Sequence, residues 1–108
     1  MPATGNQILD ALPAEEFERF GEHLERQQLP RGAALVDPYE DVTRIFFPTD
    51  SVISLTLQDE RGQPIEVSMV GPEGLMGSWV AHGPLWSPWW AVCQVEGSTW
   101  ILKSTEFR

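Results

Sequence analysis

Basic residues are the first shortage: seven against 16 acidic ones leave a net charge of −9 over 108 residues. The seven (Arg19, Arg26, Arg31, Arg44, Arg61, Lys103 and Arg108) never cluster. Affinity for DNA rests mainly on neutralising phosphates, so direct DNA binding by this chain is not expected. A single cysteine, Cys93, excludes an internal disulfide and any four-cysteine zinc or iron–sulfur site within these residues. The two histidines, His23 and His82, stand far apart with no His-x-His pair, so the converging ligands of a cupin-type metal site are missing. There is no Ser-His-Asp set, phosphate loop or dinucleotide fingerprint, and catalysis is not expected. No apolar run approaches the roughly 20 residues of a membrane-spanning helix. The N-terminus lacks the basic start and apolar stretch of a secretory signal, which makes the cytoplasm the expected location. Internal repeats, low-complexity tracts and linkers are also missing, and the length allows one domain with one core.

What is present changes period along the chain. Residues 6–25 read as helix: Ile8, Leu9 and Leu12 form one apolar stripe, and Phe17, Phe20 and Leu24 form a second. Pro13 suits the first turn of the second helix, with Glu15 and Glu16 near its positive end. From Gln28 onward the period is two. Leu29-Pro30-Arg31-Gly32 reads as a turn, Ala34–Val36 as a short strand, 37–41 as a loop and Thr43–Phe47 as extended. Between Ser51 and Gln58, Ile53, Leu55 and Leu57 alternate with Ser54, Thr56 and Gln58. Asp59-Glu60-Arg61-Gly62 is a hairpin turn, and the return strand sets Ile65, Val67 and Met69 against Glu66 and Ser68. A Gly/Pro-rich segment, Gly71 to Pro88, precedes two further strands at about 90–95 and 99–103. Residues 104–108 look like the start of a helix, as though the chain were truncated there. Many short strands with regular turns, preceded by helices, predict a mainly β protein of sandwich or jelly-roll type.

The order of these pieces resembles a known family. Leu29-Pro30-Arg31-Gly32, the loop from Asp37 to Asp41, the segment Ile45 to Leu55 and the hairpin at 58–64 occur in that sequence. Val70-Gly71-Pro72-Glu73-Gly74-Leu75-Met76-Gly77 and Ala91 to Val95 complete the set. Together they are similar to the cyclic-nucleotide-binding-like domain of Crp/Fnr-type transcription regulators, over residues 6–108. The resemblance implies a β-roll, or double-stranded β-helix, flanked by helices over the single domain 1–108. In the family a dimer helix and a winged helix-turn-helix follow. It further implies a sensor domain with a small-molecule effector, assembly as a homodimer, and DNA contact only through a helix-turn-helix outside these residues.

Nucleotide-binding members carry a Gly-Glu pair for the ribose and an Arg-Ser or Arg-Thr pair for the cyclic phosphate. The matching positions here are Gly77-Ser78 and Trp89-Trp90 ahead of Ala91, and no Lys or Arg occurs between Arg61 and Lys103. A buried phosphate without a charged partner is costly, so cyclic AMP is not the expected effector. The expected pocket is Gly77, Ser78, Trp86, Trp89, Trp90 and Ala91. The tryptophans there, with Trp79 nearby, fill an emptied pocket, receive an apolar or aromatic effector, or form a partner face. A free-standing interaction or dimerisation module with a tryptophan-filled pocket is the alternative function. No cofactor is expected; some family members bind haem, but His82 reads as a solvated loop histidine. Cys93 lies within a strand pattern and reads as a small buried hydrophobe.

Overall fold

The structure is a computed structural model that describes residues 4–37, 43–77 and 90–103. The first helix, α1 (Gln7–Asp10), is started by Asn6, whose side-chain oxygen accepts the N–H groups of Ile8 and Leu9 at 3.0 and 3.1 Å. The second, α2 (Ala14–Gly21), begins after Pro13 and carries Glu15 and Glu16 in its first turn, where carboxylates favour the exposed N–H groups. The helical reading of 6–25 is too long. Two short helices replace it, the second ending at Gly21, and the last residue of that span already begins the strand β1 (Glu25–Leu29). In β1 four successive polar residues are exposed and only Leu29 is buried, so no alternation marks the strand. Backbone pairing to the C-terminal strand decides its conformation instead. Leu24, which follows α2, still packs on the core beside Phe17 and Phe20.

Six further strands follow: β2 (Ala34–Val36), β3 (Arg44–Pro48), β4 (Val52–Gln58), β5 (Pro64–Val70), β6 (Trp90–Val95) and β7 (Gly97–Lys103). They form two antiparallel sheets, in the orders β1-β7-β3 and β2-β6-β4-β5. The core draws on both: Ile45, Phe46, Ile101 and Leu102 from the first, and Val36, Ile53, Leu55 and Ala91 from the second. Strand β3 is buried on both faces, because Ile45 and Phe47 alternate with Phe46 and all three are inaccessible. Phe47 and Leu102 turn towards α1 and α2 and, with Leu9, Leu12, Phe20 and Leu75, line an apolar groove of about 300 Å³.

The turn after β3 is tied to the start of the neighbouring strand β7. The Asp50 carboxylate, between β3 and β4, accepts the backbone N–H of Ser98 and its hydroxyl, the latter at 2.9 Å. Those hydrogen bonds hold the Asp50 carboxyl below the usual carboxylate range. Gly97 is required beside it, since a Cβ there would lie 2.7 Å from the Asp50 backbone. The predicted hairpin is also present: Gly62 has φ 78°, and Asp59 accepts the N–H groups of Arg61 and Gln63, both at 2.8 Å. Its return strand β5 is an edge strand. A register shift between Leu55 and Thr56 leaves Val67 without an opposite residue on β4.

Candidate effector site

The chain leaves the core at Gly77 and re-enters it at Trp90, and the geometry of those two points is well defined. Phe46 and Met76 form an isolated antiparallel bridge, each N–H donating to the other's carbonyl at 2.9 Å. Gly77 then lies flat against β3. Its φ is 109°, and a Cβ would stand 2.9 Å from the Arg44 carbonyl oxygen, so both backbone conformation and space demand glycine. On the return side, Trp90 pairs with Thr56, and Ala91 sits between Leu55 and Val36 with no exposed surface. Of the expected pocket residues, Gly77, Trp90 and Ala91 are therefore placed, on the backbone of β3 and in the four-stranded sheet respectively. Ser78, Trp86 and Trp89, with Trp79 and His82, lie outside the described residues.

A cavity of about 250 Å³ is lined by β2 of one sheet and β3 of the other. Ala34, Val36 and Asp37 line it from the β2 side, and Thr43, Arg44 and Phe46 from the β3 side. Val36 is the partner of Ala91, and Arg44 is the residue Gly77 rests on, so the cavity lies at the root of segment 78–89. Alternation along β3 puts Arg44 on the same face as buried Phe46. Its guanidinium lies 5.0 Å from the Phe46 ring centroid, and Nη2 donates to the Leu35 carbonyl at 3.3 Å. Of the expected pocket residues, none that is described lines this cavity, which holds a cation of its own. The stretch from 62 to 102 has none, but the fold brings one in from β3, 33 positions before Gly77 in the chain. A search confined to one contiguous segment misses it, since pairing across sheets is not written in local spacing.

Other reactive groups lie elsewhere. Cys93 is buried on the neighbouring strand, where desolvation and the charge of Glu96 push its thiol up, so it is a poor nucleophile. Among the described residues no three His, Cys, Asp or Glu side chains gather to hold a metal ion. No helix of the described residues is long and apolar enough to cross a membrane, and they contain no helix-turn-helix.

No family model matches the sequence, and no curated protein does. Solved structures do match in shape. A cyclic nucleotide-binding-like protein from Brucella abortus superposes with a TM-score of 0.75 at 19% identity, over 94% of this chain and 87% of that one. The sensor domain of the transcriptional regulator DNR from Pseudomonas aeruginosa gives 0.76 at 10% identity, over 93% and 67%. The catabolite activator protein of Thermus thermophilus gives 0.75 at 16% identity, over 93% of this chain but 47% of its own, so this chain spans about half of that regulator. At such identities the likeness is one of fold: the chain is an antiparallel β-roll of the cyclic-nucleotide-binding type, the fold of the sensor domains of Crp/Fnr-type regulators.

Proposed function

We propose that the chain is the regulatory sensor domain of a transcription regulator, responding to a small molecule other than a cyclic nucleotide and acting as a homodimer in the cytoplasm. The carrying observation is the cavity between β2 and β3, at the root of segment 78–89, in a fold shared with a regulator's sensor domain. A ligand there touches both sheets at once and so can bias two arrangements of the roll. Catalysis has no support in the residues around the cavity: Asp37, Thr43 and Arg44 offer no nucleophile with an adjacent base. Homodimerisation is supported by the edge strand β5, whose Ile65, Val67 and Met69 are 50, 50 and 52% exposed.

Cyclic AMP and cyclic GMP fit this reading poorly on chemical grounds. The position after Gly77 is Ser78, so the carboxylate for the ribose hydroxyl is absent, and a hydroxyl offers only one neutral bond. Arg44 supplies a cation, but Asp37 lines the same cavity and opposes a phosphate. Two measurements test the reading. Calorimetric titration with each cyclic nucleotide is expected to show no saturable heat, and a dissociation constant of about 10 micromolar or tighter would refute that part. Thermal unfolding against a broad metabolite collection is expected to find at least one stabilising compound. A collection in which nothing raises the melting temperature would overturn the sensor assignment.

A further inference from the structure

Segment 78–89 brings no basic residue of its own, yet the cavity at its root holds a guanidinium. Arg44 is half-buried, stacked on Phe46, and uses one nitrogen on the Leu35 carbonyl. No described carboxylate lies within 4.0 Å of it, although Asp37 lines the same cavity. A half-buried guanidinium beside an aromatic ring is an arrangement that can receive a planar, two-oxygen anion.

We infer that Arg44 is the ligand-recognising residue of this cavity and that the ligand is a small carboxylic acid bearing a hydrogen-bond donor, such as a 2-hydroxy or 2-amino acid. This rests on the sensor-domain reading and names the chemistry of its effector. The carboxylate takes the fork of Arg44. The hydroxyl or ammonium of the ligand donates to Asp37, which turns a repulsive neighbour into a selective one. Thr43 offers a hydroxyl that can serve either polar group. A free phosphate, near double charge at neutral pH, meets Asp37 and the net charge of −9 with no donor to offer in return.

The test is a nuclear magnetic resonance titration of the nitrogen-labelled protein, following the Arg44 Nε–Hε signal and the amides of Val36 and Thr43. The probes are 2-hydroxyisovalerate, valine, isovalerate and inorganic phosphate. The hydroxy or the amino acid is expected to give saturable shifts at these three residues, about tenfold tighter than isovalerate, with phosphate weaker still. Arg44→Gln should remove saturation while the remaining amide pattern stays unchanged. Arg44→Lys, which keeps the charge but loses the fork, should weaken binding by about tenfold. Equal binding to wild type and both variants overturns the role of Arg44. Isovalerate or phosphate binding as tightly as the donor-bearing acids overturns the ligand class, and so does the absence of saturation with every probe. In these cases the sensor reading is still decided separately by the metabolite collection, where a neutral or aromatic hit would keep it and sink this inference.

Discussion

Asn6 makes four hydrogen bonds with one buried amide. Its oxygen caps α1, and its nitrogen donates to the carbonyls of Pro48 and Gly74 at 2.8 and 2.9 Å, residues 42 and 68 positions away. One side chain thus starts the first helix and ties it to the end of β3 and to the loop that leads to Gly77. Replacement by alanine removes the cap and strands two carbonyls whose only side-chain donor it was among the described residues. Asn6→Ala is expected to destabilise the fold by about 2–4 kcal/mol in urea unfolding, from the cap and the unsatisfied acceptors together. A loss below about 0.5 kcal/mol would show that the carbonyls find water and that the ties are incidental. The sequence shows only part of this: an asparagine before an apolar stripe is a readable helix start, but its two long-range bonds are not. Arg44 is the same lesson at the site. In sequence it is one isolated basic residue opening an apolar strand; only the closing of β3 over β2 gives it a cavity.

Elements with their own punctuation were legible, and those defined by a partner were not. The hairpin around Gly62 and the strands β2, β4 and β6 follow from turn residues and apolar alternation, and appear within a residue or two of where these place them. β1 escaped because its exposed polar run, Glu25-Arg26-Gln27-Gln28, looks like the continuing polar face of α2. β5 was read correctly as a strand, with Ile65, Val67 and Met69 set against Glu66 and Ser68. What the pattern did not show is that both sets are exposed. A free edge with a bulge and half-exposed apolar residues is a place where a second strand can add. Wild-type protein is therefore expected to sediment as a dimer at millimolar concentration, and Val67→Lys, a charge on the free edge, as a monomer with unchanged melting temperature. Monomeric wild type, or a dimer that tolerates lysine at both Val67 and Met69, would move the interface elsewhere.

At the scale of the molecule, the order of turns and strands was enough to predict the β-roll, whereas the strand order within each sheet, and hence the position of the cavity, needed three dimensions. Charge is the property of the whole chain that composition decides outright. With seven basic residues and a net −9, the described surface offers no continuous basic face, and the two helices, of four and eight residues, are not a recognition helix and its support. Binding to duplex DNA draws its free energy from released counterions, roughly one per phosphate neutralised, and falls steeply with salt. A strongly acidic roll repels the duplex at the same range over which a basic protein is attracted, about a Debye length or 8 Å at physiological salt. The isolated chain is accordingly expected to leave the fluorescence anisotropy of labelled duplex DNA unchanged at physiological salt, with or without an effector in the cavity. Sub-micromolar binding that weakens as salt is raised would mean that a few of the scattered arginines are brought together by dimerisation, and would overturn the assignment of DNA contact to a separate segment.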